Sequence, residues 1–342
     1  MTMGPLPPTQ DDRAIWDIWQ SQFTLPAVTC ADELGVFAAL GNTALTTDEL
    51  AAQITVDARA LGLLLAALAS RGLVELRGGR WSATPPARTW LHPQAAGYWG
   101  PFLYRFRETI PLHEVLIAAM RTGKRPETRF TGVAEWERGT MDQAVARRIA
   151  DFMHAHSLAP AAAVAAQAEF ASIPSFLDVG CGSGVYGIAM AAAHPHMQVT
   201  VMDLKEMTAE AARYVDAAGL TGRVALAPAN MFEDAWPTGH HAHFFANIFH
   251  DWSEETNALI AAKSFAALPS GGRIFLSEIL MDDALDGPWQ AASFSLMMLT
   301  GTLGKQYSLP QLAEILEGAG FTNVRAARSG GGYYSLVSAT KP

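Results

Sequence analysis

The chain has 342 residues, of which half are hydrophobic, and a formal net charge of −9. This length allows two domains of ordinary size, and the hydrophobic content excludes a disordered protein. The acidic balance argues against nucleic acid as a partner, because phosphate binding needs a basic face. Two cysteines, Cys30 and Cys181, are too few for a disulfide framework.

The N-terminal dozen residues lack both the basic start and the apolar centre of a signal peptide. No apolar run reaches the ~20 residues that a membrane-spanning helix needs. We therefore expect a cytoplasmic protein that has no membrane partner.

The N-terminal quarter of the chain predicts helices followed by a small hairpin. Thr46 and Glu49 predict a helix start, since a hydroxyl caps the first turn and an early acid suits it. Residues 57–71 predict a second helix, and 73–83 predict two short strands around a Gly-Gly turn. Two helices followed by a hairpin are typical of a winged-helix domain. A recognition helix presents basic or amide side chains to DNA, and the second helix has Arg59 and few others. We expect packing or dimerisation instead.

The next segment, 96–165, predicts connecting helices that are rich in aromatic residues. These are Trp99, Phe102, Tyr104, Phe106, Phe130 and Trp136. We expect most of them in a core, and one or two in a pocket for a flat substrate.

From residue 175 onward, strand and helix patterns alternate, which predicts a doubly wound parallel sheet with helices on both faces. The predicted parallel strands are 176–179, 199–203, 223–228, 242–249 and 273–279. A closing hairpin, 323–328 and 333–339 around a glycine turn at 330–332, predicts an antiparallel last strand.

The most informative motif, Phe-Leu-Asp-Val-Gly-Cys-Gly-Ser-Gly-Val-Tyr-Gly, begins at Phe176 and ends at Gly187. Alternate glycines let the backbone approach a ligand closely and turn into a helix. Asp178 precedes them, and a carboxylate would repel pyrophosphate but suits a cofactor with a positive end. S-adenosylmethionine carries an ammonium and a sulfonium, so the motif indicates a methyl-transfer site.

The same loop allows a second interpretation. Residues 182–187 satisfy the dinucleotide fingerprint, and Asp203 follows roughly 20 residues later, as that fingerprint requires. An NAD-dependent oxidoreductase is therefore an alternative, although it leaves Asp178 and the segment 230–232 without a purpose.

Ligands of an open α/β sheet bind beyond the carboxyl ends of its strands, and each predicted strand brings a suitable group there. Asp203 can accept the hydroxyls of a ribose, and Asn230-Met231-Phe232 suit the edge and face of an adenine. His250 follows the fourth strand and Glu278 ends the fifth. Three histidines at 240, 241 and 243 have no matching carboxylate or cysteine spacing, so we expect no metal.

With these residues in view, the chain resembles the small-molecule O-methyltransferases typified by the caffeic acid and acetylserotonin enzymes, with bacterial natural-product relatives. The resemblance covers nearly the whole length. The segments 177–184, 247–252, 271–278 and 318–321 carry it.

The resemblance implies a Rossmann-like α/β methyltransferase sheet and an N-terminal, mainly helical, winged-helix-like dimerisation domain. We expect dimerisation from 1–95, connecting helices that line the acceptor pocket from 96–165, and cofactor binding and catalysis from 166–342. A homodimer is implied.

The resemblance also implies roles for individual residues. His250 resembles the general base, Glu278 the carboxylate that orients it, and Gln306 a second catalytic position. The implied cofactor-binding residues are Ser157, Asp178, Gly180, Gly182, Gly184, Asp203, Leu204, Asn230, Met231 and Phe232. The implied acceptor-binding residues are Met153, His156, Phe294, Met297 and Met298.

Two positions depart from the family pattern. Asn230 stands where an aspartate is common, and Gln306 stands where the family often has a second glutamate. An amide can accept a hydrogen bond from an imidazole but cannot stabilise an imidazolium by charge, so His250 should be a weaker base. An acidic phenol, a thiol or an activated carbon would suit such a base.

We therefore predict methyl transfer from S-adenosylmethionine, with S-adenosylhomocysteine as product, to a small acceptor of bacterial secondary metabolism. An aromatic hydroxyl is the expected acceptor, since an imidazole near pKa ~6.5 can take its proton as attack proceeds. S-, C- or N-methylation on the same fold and a regulator that binds the cofactor without catalysis are alternatives.

Overall fold

The computed structural model describes residues 17–18, 21–22, 24–104, 132–285, 287–329 and 332–342. The chain forms two compact units, 1–109 and 110–342. Phe106, Phe130 and the first two residues of the predicted glycine turn lie outside the described residues. No helix of the described segments combines the length and hydropathy needed to cross a membrane.

The first unit is mainly helical. Its described elements are α1 (Thr24–Glu33), α2 (Val36–Leu40), α3 (Thr47–Ile54), α4 (Ala58–Ser70), β1 (Val74–Arg77), β2 (Arg80–Ala83), α5 (Pro85–Trp90) and α6 (Gly100–Tyr104). Thr46 and Glu49 form the predicted capping box at the start of α3, each side chain bonding the other's backbone N–H. The two strands pair antiparallel around Gly78 and Gly79, both at positive φ, which completes the predicted wing.

The second unit carries the large sheet. Its described elements are α7 (Gly132–Arg138), α8 (Gln143–Ala165), β3 (Ser175–Val179), α9 (Val185–Ala193), β4 (Gln198–Asp203), α10 (Lys205–Ala217), β5 (Val224–Pro228), β6 (Ala242–Ala246), α11 (Glu254–Ala267), β7 (Arg273–Glu278), α12 (Trp289–Gly301), α13 (Leu309–Gly318), β8 (Thr322–Arg328) and β9 (Ser335–Thr340).

The seven strands lie in the order β5-β4-β3-β6-β7-β9-β8. The first five are parallel, while β9 pairs antiparallel with both β7 and β8. This confirms the predicted α/β sheet with an antiparallel last strand. The central strands β3 and β6 are rich in fully buried residues, including Phe176, Leu177 and Phe244, because helices cover both faces of a parallel sheet.

One strand is shorter than its apolar run predicts. The predicted strand 242–249 ends at Ala246, because Asn247 adopts a positive φ of 56° that breaks the extended backbone. A short 3₁₀ turn, Phe249–Asp251, follows. His250 therefore lies on a turn four residues beyond the end of the strand, still at the carboxyl edge of the sheet.

Candidate active site

The glycine loop joins β3 to α9 in a left-handed backbone path. Gly180, Gly182 and Gly184 have φ of 69°, 58° and 74°, a region that side chains disfavour. A Cβ on Gly180 would lie 2.4 Å from Ile248 Cδ1, so the loop touches the segment that carries His250. The sequence predicted both the loop and its place at the sheet edge.

Two carboxyl groups flank this loop, of which Asp178 is buried and Asp203 is half-buried. Asp178 accepts a hydrogen bond from the Gly187 N–H at 3.1 Å and forms no ion pair within the described residues. Asp203 accepts from the N–H groups of Gly182, at 2.9 Å, and Leu204, at 2.7 Å. Burial raises the pKa of Asp178 to about 7 and that of Asp203 to about 6, although the backbone N–H groups oppose the rise. The site therefore favours a ligand that brings positive charge.

A cavity lies against the loop. Its lining consists of Met153, Ser157, Asp178, Gly180, Cys181, Gly182, Ser183, Val185, Tyr186 and Ala246. The buried Tyr186 hydroxyl has no well-directed hydrogen bond in the described part of the chain, and Ser277 and Ser157 are its polar neighbours. A polar ligand or water in the cavity would complete its hydrogen bonding, since an unsatisfied buried polar group costs about 1–3 kcal/mol.

The segment Asn230-Met231-Phe232 follows β5, as predicted. Asn230 Oδ1 accepts a hydrogen bond from the Phe232 N–H at 2.9 Å, which folds the segment into a tight turn. The Phe232 ring meets Trp252 edge-on, with centroids 4.8 Å apart. This amide oxygen already has one donor, so only its second lone pair is open to a ligand.

His250 is buried among acidic and aromatic neighbours. Its Nδ1 lies 2.9 Å from Glu278 Oε2, and its Nε2 lies 3.7 Å from Asp251 Oδ1, beyond hydrogen-bond distance. The Phe294 ring packs edge-on at 5.1 Å between centroids. Burial alone lowers the pKa of His250, but the charges of Glu278 and Asp251 outweigh it and raise the pKa above its ordinary 6.5.

Glu278 also holds the backbone of this turn. Its Oε1 accepts hydrogen bonds from the N–H groups of Ile248, at 3.1 Å, and Phe249, at 3.0 Å. Its Oε2 lies 2.9 Å from His250 Nδ1 and raises the pKa of the imidazole mainly through charge. One carboxylate therefore both fixes the turn and polarises the imidazole.

Gln306 reaches the same nitrogen. Its amide Nε2 lies 3.0 Å from His250 Nδ1. A proton held on Nδ1 by the nearby carboxylate requires the amide flipped by 180°, so that its oxygen and not its NH₂ group faces the ring. The neutral tautomer then leaves the lone pair on Nε2. This arrangement suits a general base whose free nitrogen is Nε2.

The predicted acceptor residues fall into two groups. Met153 and His156 lie on α8, and Met153 lines the cavity beside the glycine loop. Phe294, Met297 and Met298 lie on α12, where Met298 is buried but Met297 is 39% exposed. Burial, followed by the charge of His250, lowers the pKa of His156 to about 4, so its ring is neutral near pH 7.

Sequence reasoning missed three residues that hold this site. Tyr334 donates a hydrogen bond to Asn247 Oδ1 at 2.9 Å. A Cβ on Gly304 would lie 2.1 Å from the His250 carbonyl oxygen, so only glycine fits there. His154 Nδ1 lies 3.2 Å from Ser183 Oγ in the glycine loop. Only Gly304 had a local signal, as a glycine two residues before Gln306.

The three histidines near β6 form hydrogen bonds within the fold. His240 Nε2 lies 2.9 Å from Thr200 Oγ1, and His243 Nδ1 lies 3.0 Å from Ser264 Oγ. In the described segments, no group of three or more histidine, cysteine, aspartate or glutamate residues could hold a metal ion.

Two family sequence models match the chain. An O-methyltransferase domain matches residues 113–322, and an O-methyltransferase dimerisation domain matches residues 16–93. The chain belongs to the O-methyltransferase family. It is an S-adenosylmethionine-dependent methyltransferase of the bacterial natural-product type, which confirms the resemblance drawn from the sequence motifs.

Similar proteins support this assignment. This chain is 33% identical over 329 residues to a 3-hydroxy-5-methyl-1-naphthoate 3-O-methyltransferase of Streptomyces sahachiroi. The match covers 91% of this chain and 88% of the relative. An N,N-dimethyltransferase, OxyT of Streptomyces rimosus, is 26% identical and 83% of each chain is covered. The crystal structure of human N-acetylserotonin methyltransferase with S-adenosylmethionine has the same fold, with a TM-score of 0.82, 22% identity and 98% and 99% coverage.

The residues at the loop fit the family's cofactor. Asp178 offers a buried carboxyl group without a cationic partner in the described residues, and the Tyr186 hydroxyl offers a buried polar atom at the cavity. Both features suit a ligand that carries positive charge and a polar amino-acid end.

Proposed function

We propose that this O-methyltransferase methylates an aromatic hydroxyl of a small molecule of bacterial secondary metabolism, with His250 as the general base. The contact between the loop and the base carries the proposal. Ile248, two residues before His250, packs against Gly180 of the glycine loop. The base and the cofactor loop therefore lie side by side.

Bound S-adenosylmethionine supplies an electrophilic methyl group, and a neutral thioether remains after transfer. Asp178 would offset the positive charge of the cofactor, while Asp203 would accept the ribose hydroxyls. The segment from Asn230 to Phe232 would contact the adenine, and Ser157 the amino-acid end. Leu204 and the three loop glycines would complete this site through their backbone.

His250 would take the acceptor's proton on Nε2. Its Nδ1–H is held by Glu278 and Gln306, so the ring keeps the required tautomer and orientation. A raised pKa makes the neutral imidazole a better proton acceptor, provided that the pH is high enough to deprotonate it.

The acceptor would lie among apolar side chains. Phe294 packs against His250, and Met298 lies on the same helix. Together with Met153 and His156 these residues suit a flat aromatic ring. The relative that acts on a hydroxynaphthoate supports the same class of acceptor.

A second candidate is transfer to nitrogen, carbon or sulfur. The match to the relative named as an N,N-dimethyltransferase covers most of the chain and supports this second candidate. Gln306 favours it too, because a neutral amide supports an imidazolium less well than a carboxylate does.

We also propose that the protein acts as a homodimer through its N-terminal domain. The match of residues 16–93 to a dimerisation domain supports this. We keep the predicted division into 1–95, 96–165 and 166–342 as part of the same proposal. Sedimentation at micromolar concentration should give twice the chain mass, and a monomer would contradict the proposal.

The test of the reaction uses the whole protein with S-adenosylmethionine and a panel of hydroxynaphthoates, anilines and thiophenols. We expect S-adenosylhomocysteine to form with the hydroxyl compounds, and NMR of the product to show an O-methyl group. His250→Gln should lower kcat by about 100-fold or more, because general base catalysis is lost.

The same experiment separates the alternatives. Product methylated at nitrogen, carbon or sulfur would favour the second candidate. Cofactor binding with no methyl transfer to any panel member would indicate a regulator. Full activity in the His250→Gln variant would contradict the proposed base.

A further inference from the structure

A chain of hydrogen bonds joins the glycine-loop cavity to the turn of His250. Ser157 Oγ, at the cavity, lies 3.4 Å from His156 Nδ1. His156 Nε2 lies 3.3 Å from the Tyr334 hydroxyl, which donates to Asn247 Oδ1 at 2.9 Å. Tyr334 immediately precedes β9, and it is buried.

Asn247 is the residue at which the backbone leaves β6. It keeps a positive φ of 56°, and its N–H donates to the Ser277 carbonyl at 3.2 Å. The left-handed region is costly for any side chain, although asparagine tolerates it better than most. The bond from Tyr334 therefore stabilises the conformation that starts the turn.

The residues after Asn247 link its backbone conformation to the position of His250. The N–H groups of Ile248 and Phe249 donate to Glu278, whose other oxygen faces His250 Nδ1. A change at Asn247 would move these donors and so move the carboxylate relative to the imidazole.

We propose that Tyr334 is a positioning residue, whose hydroxyl holds Asn247 and through it the turn that orients His250 toward the acceptor. This inference rests on the proposed role of His250 as the base. The ring of Tyr334 packs with Ile279 and Ala291 in a separate apolar cluster, so its hydroxyl can be removed while the ring stays in place.

The charged and titratable groups that face His250 come from several elements. Glu278 lies at the end of β7, Asp251 on the turn itself and His156 on α8. Tyr334→Phe removes none of these groups. A change in the pKa of His250 would therefore report a change in their distance.

The experiment measures that pKa directly. Full-length protein with ¹³C-labelled histidine, saturated with S-adenosylhomocysteine, is titrated by NMR, and the His250 signal is assigned by its loss in His250→Gln. In Tyr334→Phe we expect the pKa of His250 to fall by about 0.5–1 unit, since Glu278 is held less closely. We expect kcat to fall about 10-fold, with S-adenosylhomocysteine affinity nearly unchanged.

Asn247→Gly is a second variant that tests the hydrogen bond between Tyr334 and Asn247. Glycine adopts the positive φ but removes the acceptor of the Tyr334 hydroxyl. We expect the same fall in the pKa of His250, and no further fall in the double variant, because both changes break one interaction. This variant also serves if Tyr334→Phe does not fold.

The matched control is Tyr214→Phe, which removes a hydroxyl bonded to Asp151 on another part of the second unit. It should leave the pKa of His250 unchanged. An unchanged pKa in Tyr334→Phe, or additive effects in the double variant, would overturn the inference. Failure of methyl transfer in the wild type would instead count against the proposed function, since the titration needs no acceptor.

Discussion

The neutral side chain of Gln306 leaves the proposed base, His250, with one fewer negative charge nearby than a glutamate would give it. It contacts His250 Nδ1 at 3.0 Å, at a position where the family resemblance implies a glutamate. Glu278 and Asp251 therefore supply the negative charge that raises the pKa of His250. A site with one fewer carboxylate suits an acceptor hydroxyl that already loses its proton readily.

Gln306→Glu should raise the pKa of His250 further, by about one unit, because a second carboxylate would stabilise the imidazolium. The neutral base then appears only at higher pH, so the acid limb of the kcat/KM profile should move upward. The profile is measured between pH 5 and about 9. Gln198→Glu, which adds the same charge at an exposed position at the start of β4, should not move the limb. If the acid limb of the Gln306→Glu profile does not move, the side chain at position 306 does not contact His250.

Asp178 should make cofactor binding depend on pH. Its pKa is raised to about 7 by burial, and only the ionised carboxylate attracts a cation. Affinity for S-adenosylmethionine should therefore rise as pH increases through 7. Asp178→Asn should weaken binding by about 10- to 100-fold above pH 7 and remove most of the pH dependence.

Calorimetry at pH 6 and about pH 8 measures this effect. Asp216→Asn is the control, because Asp216 is an exposed carboxylate on α10. Equal affinities at both pH values in the wild type would show that Asp178 does not meet the positive charge.

Helix α9 packs closely against the sheet at Gly187. A Cβ on this residue would lie 2.4 Å from Val201 Cγ1 of β4, so the helix approaches the strand at a distance that only glycine allows. The N–H of Gly187 also donates to Asp178. The close packing thus sets the distance between the helix and the buried carboxyl group.

Gly187→Ala should destabilise the protein by about 1–3 kcal/mol through overpacking, and should also weaken cofactor binding. Denaturant unfolding and calorimetry provide the two measurements. Gly318→Ala is the matched control: its Cβ would meet nothing within 4 Å, so stability should be unchanged or slightly higher. Equal stability of both variants would contradict the packing argument.

The sequence predicted the elements and site residues whose signals are local. Asp178, the glycine loop and Asp203 follow directly from strand ends, and the structure places them together. The apolar run through Phe249 did not reveal the end of β6, because the left-handed conformation of Asn247 depends on distant partners. Tyr334 lies 87 residues from Asn247, so no local pattern could pair them.

At the scale of the whole molecule, each compact unit has its own core. The first unit packs around residues such as Phe37, Leu50 and Leu65. The second unit has separate clusters on the two faces of its sheet, around Phe176 and around Leu177. The residues proposed to bind the cofactor all lie in the second unit.

S-adenosylhomocysteine should therefore stabilise the second unit selectively. At 100 times its dissociation constant a ligand adds about 2.7 kcal/mol to the stability of the part it binds. Hydrogen exchange with mass detection should show slower exchange in β3, α9 and β4, with little change in α1 to α4. Equal protection of both units would contradict a site confined to the second unit.

The position of β9 constrains how the sheet can be completed during synthesis. β8 precedes β9 in the chain, yet β9 lies between β7 and β8. When β8 leaves the ribosome it has no neighbour to join, and the edge of β7 stays open until the following strand arrives. Tyr334 comes just before that strand, so the turn of His250 can acquire its anchor only after this part of the chain has been made.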